Sequence, residues 1–228
     1  MSDWTYGGAI DRWPVELDKP IIYPDSSTLM AHDIFDPMPE FLTDIEVLFT
    51  DGPWNMGNLR SFYTKNNSEL PVLPCILGFD EFYNRLFECI AVIEPKLCFL
   101  EIGKEFLGEY MVNLKRLFRH VTVYNSSYYH KRKNRCYVVQ GSQKRLNLHF
   151  DDMDEEEIIA AVGKCTEGAM GDLCMGRGLV ACAAAKNERR FYGTELNPRR
   201  LAVCVERLAK IGVMPAREAD GLRGSKLI

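Results

Sequence analysis

Short apolar runs and helix-periodic stretches take turns along most of this chain. Residues 45–50 (I-E-V-L-F-T) form an apolar run stopped by Asp51-Gly52-Pro53, which predicts a buried strand. From 79 to 93, Phe82, Leu86, Cys89, Ile90 and Ile93 recur at helical spacing. Glu94-Pro95-Lys96 ends that helix, and 97–102 reads as another buried strand. The spacing then predicts a helix over 110–118 and strands over 120–124 and 136–140. A helix over 155–164 opens on an acid-rich first turn, which suits the positive end of the helix dipole. A short strand ending at Asp172, a glycine turn, a helix over 179–186, a strand over 191–195 and a helix over 198–211 complete the alternation. Before residue 40 the pattern is irregular, with Trp4, Trp13, Pro14, Pro20 and Pro24, and it reads as a lead-in that packs on a core built later. No repeat, low-complexity tract or Gly/Ser linker marks a boundary, so residues 1–228 read as one domain.

Strands alternating with helices at this spacing predict an α/β fold with a mostly parallel sheet and helices on both faces. Ligands then belong at the C-terminal ends of the strands. Composition agrees with that reading and excludes others: 228 residues with 46% apolar, 26% charged and 11% aromatic residues do not make a collagen, a coiled coil or a disordered chain. No apolar run approaches the roughly 18 residues of a membrane span, and the start shows no basic-then-apolar signal. The eight cysteines contain no C-x-x-C pair and sit mostly in apolar runs, which predicts free thiols in a reducing, cytoplasmic setting. The four histidines are unclustered, and no metal is expected.

Charge is unevenly placed. The net charge of −4 conceals nine Lys/Arg and no acid over residues 110–150, followed by six acids in the seven positions 151–157. Lys131, Arg132, Lys133 and Arg135, with Tyr124, Tyr128, Tyr129 and Tyr137 interleaved around them, suit a polyanion with exposed bases and predict a nucleic-acid contact. The same block also suits a solvated face paired with the acids that follow it.

Two predicted strand ends carry candidate chemistry. Asp172-Leu173-Cys174-Met175-Gly176-Arg177-Gly178 lies between a strand and a helix, and Glu195 closes the next strand. Glycines there let backbone N–H groups approach a ligand, and the acid is placed to accept hydrogen bonds from ribose hydroxyls. Gly176, Gly178 and Ala181, with Glu195 nineteen positions after Gly176, also satisfy a dinucleotide fingerprint, so a nicotinamide enzyme is a rival reading. Against it, Asp172 would repel a pyrophosphate and welcome a cationic nucleoside. Asp51-Gly52-Pro53-Trp54 is the second loop. A carboxylate, turn carbonyls and a flat ring form a receptor for an amino group on a planar heterocycle.

Together these loops resemble the amino-methyltransferases that use S-adenosylmethionine and methylate exocyclic nitrogens of bases. That family carries a D-P-P-W/Y/F type tetrapeptide and a D-P-F-x-G-S-G-T type loop followed by a strand ending in an acid. Here they look like Asp51 to Trp54, Asp172 to Gly178, and Y-G-T-E-L-N-P with Glu195. The catalytic loop precedes the cofactor loop, which resembles the circularly permuted β-type order of adenine-N6 and cytosine-N4 DNA methyltransferases on a Rossmann-like sheet. The resemblance covers residues 27–212 and implies Asp51, Gly52, Pro53 and Trp54 as the catalytic loop. It implies Asp172, Cys174, Gly176, Gly178, Glu195 and Asp51 around S-adenosylmethionine, and DNA in preference to RNA as partner, with adenine N6 as target because Asp opens the tetrapeptide. An RNA or small-molecule amino-methyltransferase and a nucleic-acid-binding protein with a decayed cofactor site are the other readings. Three departures stand out: Gly52 for the first proline, Leu173-Cys174 and Arg177 in the cofactor loop, and too short an interval between Gln140 and Glu155 for a target-recognition domain. Glycine at 52 reads as a loosened proline, so proline there is expected to tighten the loop.

Overall fold

The computed structural model describes residues 8–67 and 78–216; Trp4 and Cys75 lie outside them. In chain order the elements are α1 (Ala9–Arg12), β1 (Pro20–Ile22), β2 (Thr28–Ala31), a 3-10 turn (Glu40–Asp44), β3 (Val47–Thr50), α2 (Met56–Asn67), α3 (Phe79–Ile93), β4 (Leu97–Ile102) and α4 (Leu107–Leu117). The second half adds β5 (His120–Tyr128), β6 (Lys131–Ser142), β7 (Met153–Asp154), α5 (Glu155–Cys165), β8 (Met170–Asp172), α6 (Leu179–Lys186), β9 (Phe191–Glu195) and α7 (Pro198–Lys210). All nine strands join one sheet in the order β1-β2-β9-β8-β3-β4-β6-β5-β7. From β2 through β4 every neighbour is parallel, and β6 enters antiparallel between β4 and β5.

The central strands are short and buried on both faces, so they read as unbroken apolar runs. Side chains of a strand point alternately to opposite faces. Val47 and Phe49 therefore join a core with α5, α6 and α7, through Ile158, Val162, Val180 and Leu201. Leu48 joins the other core, with Leu59 of α2, Phe82 and Ile90 of α3, and Leu114 of α4. This is the α/β sheet with helices on both faces that the alternation predicts.

Helix ends follow their sequence signals. Asp154 caps α5 in a reciprocal box, its side chain accepting a helix N–H while Glu157 accepts the Asp154 N–H at 2.8 Å. Asn197 caps α7 by accepting the Arg199 N–H at 2.9 Å, with Pro198 in the first turn.

Two expectations are corrected. The first 40 residues are not merely a lead-in: β2 is a fully buried strand paired in parallel with β9 along Thr28–Ala31. Four residues carry too little periodicity to be recognised alone, and β9 supplies the missing partner. The basic segment between the strands expected over 120–124 and 136–140 is not a connection outside the sheet either. Lys131, Arg132, Lys133 and Arg135 lie on β6, which pairs with β5 through a tight turn at Tyr129 and His130. Both turn residues have φ above +50°, a conformation usually taken by Asn or Gly, so no turn signal was legible. Helix α4 starts three residues earlier than its apolar spacing suggests, and α2 had no sequence forecast.

Gly193 sets the approach of β9 to β8. A Cβ there would stand 2.6 Å from the Asp172 carbonyl oxygen and 2.2 Å from Met175 Cε. The carbonyl belongs to the paired strand and cannot rotate away. Gly193→Ala should therefore lower folding stability by about 1–3 kcal/mol, the range for overpacking a filled interior. A urea titration of both proteins checks this; equal midpoints would show that the strands have slack.

Candidate active site

β3 and β8 are parallel neighbours whose chains leave in opposite directions. From β8 the chain passes through α6 to β9 on one side, and from β3 it passes through α2 and α3 to β4 on the other. Such a switch point leaves a crevice at the C-terminal strand ends. Asp51 and Asp172 are the residues at those two ends. The two loops singled out in the sequence are thus brought together by one strand pairing.

The crevice has two chambers. The narrower, about 60 Å³, is lined by His32, Asp33, Pro53, Leu173 and Glu195 among others. The wider, about 260 Å³, is lined by Gly52, Trp54, Glu101, Tyr128, Glu155 and Gly176 among others. Asp51, Phe62, Cys174 and Arg200 belong to both. The Arg200 guanidinium lies 5.0 Å from the centre of the Phe62 ring, so this pair stands with Asp51 where the chambers meet.

Asp51 is open to the cleft yet ringed by protein on its other sides. That crowding pushes its carboxyl up to about 7, helped by repulsion from Glu155 and opposed by the Trp54 indole and Arg200. Trp54 Nε1–H donates to Asp51 Oδ1 at 2.8 Å, and the indole meets Tyr128 of β5 edge-on at 5.2 Å. Trp54 is therefore tethered to the carboxylate it follows, which leaves Oδ2 for a ligand. Pro53 is buried against the narrow chamber, while Gly52 faces the wide one. Gly52 does not have positive φ, but a Cβ would stand 2.9 Å from Phe82 Cζ. Phe82 is buried, with one side on the narrow chamber. Glycine at 52 thus lets α3 pack closely on the loop, and a proline there would tighten the loop only by displacing Phe82.

Asp172 is buried and accepts the Cys174 N–H at 2.9 Å. Burial pushes its carboxyl up to about 7, with Asp51 and Glu195 adding repulsion. The half-buried Cys174 thiol is pushed well above its usual range, by burial first and then by these same carboxylates, so it is an inert lining group. Gly176 has φ +56° and donates its N–H to Glu195 Oε2 at 2.6 Å, while Asn197 N–H donates to Oε1 at 2.9 Å. Glu195 thus braces the loop through both carboxyl oxygens, each of which keeps lone pairs to spare. Gly178, at φ +80°, lines neither chamber; its missing Cβ makes room for Cys204 Sγ, which would be 2.1 Å away.

Lys131, Arg132, Lys133 and Arg135 are exposed, and among the described residues no ion pair joins them to the acids at 151–157. Of those acids, Asp154 turns to its cap and Glu155 to the wide chamber, Asp154 and Glu156 also face His130 of the hairpin turn, and Asp151, Asp152, Glu156 and Glu157 stay exposed. Tyr128, just before the hairpin turn, carries this basic edge to Trp54. The sequence reading did not single out Glu101, Glu155, His32, Asp33 or Arg200. A lone acid in the apolar run L-C-F-L-E-I was the available signal for Glu101; the others depend on distant pairings.

No protein-family model matches the chain, and no curated protein matches it in sequence. Solved structures do match. The PvuII DNA methyltransferase (cytosine-N4-specific) superposes with a TM-score of 0.54 at 11% identity over 84% of this chain and 90% of its own. The fold is that of these DNA methyltransferases. M1.HpyAVI in complex with SAM gives 0.53 at 12% identity, over 79% of this chain and 98% of its own. TTHA0409 from Thermus thermophilus, provisionally assigned as a DNA modification methylase, gives 0.53 at 14% identity over 74% and 88%.

The crowded carboxylates have a consequence for stability. Asp51 and Asp172, both near 7 when folded, sit close to 4 in an unfolded chain. The folded state therefore holds more protons between those values, and the stability these groups contribute is present below about pH 4 and lost as pH rises through 7. The urea midpoint should fall from pH 5 to pH 7.5, and Asp51→Asn with Asp172→Asn should flatten that fall. A midpoint that rises over this range in the parent would contradict the assignment.

Proposed function

We propose that this chain transfers a methyl group from S-adenosylmethionine to an exocyclic amino nitrogen of a nucleobase, adenine N6 in DNA being the preferred target. The observation that carries this reading is the meeting of two chambers at Asp51, where an amine acceptor stands between one space for a cofactor and another for a base. Among the neighbours named above, the PvuII protein is a DNA methyltransferase and M1.HpyAVI is in complex with SAM, which supports the choice of cofactor and polymer.

The donor set fits the cofactor. Asp51, Asp172 and Glu195 surround the meeting point with negative potential, which favours a sulfonium and an ammonium and disfavours a pyrophosphate. This charge counts against the nicotinamide reading that the glycines permit. His32 Nε2 is buried without a partner at the narrow chamber, and its Nδ1 lies 2.7 Å from Asp18 Oδ1. An orphaned polar atom there suits a ligand with its own donors and acceptors. Asp33, held by the Tyr63 hydroxyl at 3.1 Å, adds a second polar group to the same wall.

When bound, S-adenosylmethionine supplies an electrophilic methyl on a sulfonium. The protein's part is to make a weak nucleophile competent, because the amine lone pair is delocalised into the ring. Hydrogen bonds from the amine to Asp51 and to the Gly52 carbonyl return electron density to nitrogen, and they strengthen as positive charge develops there. Trp54, tethered to Asp51 and backed by Tyr128, forms the aromatic side of the base's space. Alignment of this kind contributes several kcal/mol, of the roughly 7–11 kcal/mol that ideal positioning can supply. A base inside a duplex cannot reach Asp51, so it is flipped out or single-stranded. The span between β6 and β7 holds no added domain, and contact with the polymer falls to the basic edge of β6.

Labelled-methyl transfer to DNA, RNA and free nucleosides tests the proposal directly. Asp51→Ala should abolish transfer and leave S-adenosylmethionine affinity within about tenfold, since the carboxylate serves the amine; near-normal transfer would refute its role. Neutralising Lys131, Arg132, Lys133 and Arg135 together should reduce the salt dependence of polynucleotide binding by about 0.7–0.9 log units for each phosphate no longer neutralised, with cofactor binding unchanged. An unaltered slope would move the nucleic acid elsewhere on the surface.

A further inference from the structure

A second carboxyl stands beside Asp51 that the transfer itself leaves without a task. Strands β3 and β4 are paired in parallel with Thr50 opposite Leu100, so Glu101 comes next to Asp51 at the same end of the sheet. Glu101 is 2% exposed and lines the wide chamber, and neither carboxyl oxygen has a hydrogen bond of good geometry, the Glu155 carboxyl and the Cys136 thiol being its close polar neighbours. Glu155, the first residue of α5, reaches the same place. One oxygen from each of Asp51, Glu101 and Glu155 lies within 4.8 Å of the others. A buried polar group without a partner costs on the order of 1–3 kcal/mol, so the arrangement is complete only when something in the chamber bonds to it.

We propose that Glu101, backed by Glu155, donates a hydrogen bond to the ring nitrogen beside the target amine, so that Asp51 and Glu101 together grip the donor–acceptor edge of an adenine or a cytosine. This rests on the amino-methyltransferase reading above and supplies what that reading lacks, a group that recognises the base. Burial, reinforced by Asp51 and then Glu155, keeps the Glu101 carboxyl well above the usual carboxylate range, and a neutral carboxyl is both donor and acceptor. Adenine presents N6–H beside the acceptor N1, and cytosine presents N4–H beside the acceptor N3. Guanine presents its amine beside N1–H, so the neutral carboxyl could meet that edge only through its carbonyl oxygen, and the Glu101 proton would find no acceptor there. Phe49, Trp54, Tyr128 and Tyr129 line the chamber with flat faces on which the ring rests.

The test compares single-stranded oligonucleotides carrying one adenine or one 1-deazaadenine, and one cytosine or one 3-deazacytosine. Two readouts are taken: single-turnover methyl transfer, and fluorescence-anisotropy binding with saturating S-adenosylhomocysteine. Wild type should lose about tenfold to a hundredfold in one pair when the ring nitrogen is removed, the range for one good base-edge contact. Glu101→Ala should lose a similar factor on the natural base and show no further loss on the deaza base. Glu101→Gln, which keeps a donor and the shape of the side chain, should retain the discrimination. Equal discrimination by wild type and Glu101→Ala would overturn the proposal, as would none in wild type. Stoichiometric Mn²⁺ binding lost in Glu101→Gln would also overturn it, by making the three carboxylates a cation site. If wild type methylates nothing, the methyltransferase reading fails by itself, and the binding arm still decides whether Glu101 reads the edge.

Discussion

The pairing of β3 with β8 is the constraint on which the rest of the site depends. Two parallel strands whose connections leave in opposite directions cannot close the space above their C-terminal ends, because no helix crosses it. Everything with chemical character gathers around that gap. Asp172 ends β8 and Asp51 follows β3 directly, Glu101 and Glu195 lie at the ends of the next strand on either side, Glu101 one residue short of the last, and α5 and α7 bring Glu155 and Arg200 to the gap.

That convergence concentrates negative charge. Asp51 and Asp172 are both pushed up to about 7 and Glu101 well above its usual range, with crowding by protein as the first cause and mutual repulsion as the second. Such a cleft disfavours its own ionisation and favours a cationic guest, since each carboxylate formed gains a partner when positive charge arrives. Function is here set against stability: the same strand ends packed with apolar residues would hold the sheet together better. Several features hold the acids in place against their repulsion. Trp54 donates to Asp51, the Cys174 N–H to Asp172, and the N–H groups of Gly176 and Asn197 to Glu195.

The basic hairpin lies outside this acidic floor and is joined to it through aromatic contact. Tyr128 meets Trp54 edge-on and also packs on Tyr129, so the segment that presents Lys131 to Arg135 is continuous with the wall of the wide chamber. Positive rim and negative floor suit a polyanion that delivers one neutral ring, the phosphates staying outside and the base entering.

Much of this was legible in the chain. The helix over 79–93 and the strand over 97–102 coincide with α3 and β4, because long amphipathic periodicity and a bounded apolar run are local properties. The helix over 179–186 and the strand over 191–195 coincide with α6 and β9, for the same reason and with a glycine turn to mark the start. Both loops at the switch point were readable from strand ends followed by turn residues. The sequence by itself thus determined the types of most of the longer helices and of the central strands, the two chemistry-bearing loops and the imbalance of charge. Tertiary structure decided which strands are neighbours, and with that the burial of β2, the partnership of Asp51 with Glu101 and Glu155, the tether from Trp54, and the reason for glycine at 52. The physical cause is range. Periodicity and turn preference act over a few residues, whereas Phe82 against Gly52, or Glu155 near Asp51, becomes a contact only after distant segments have paired across one sheet.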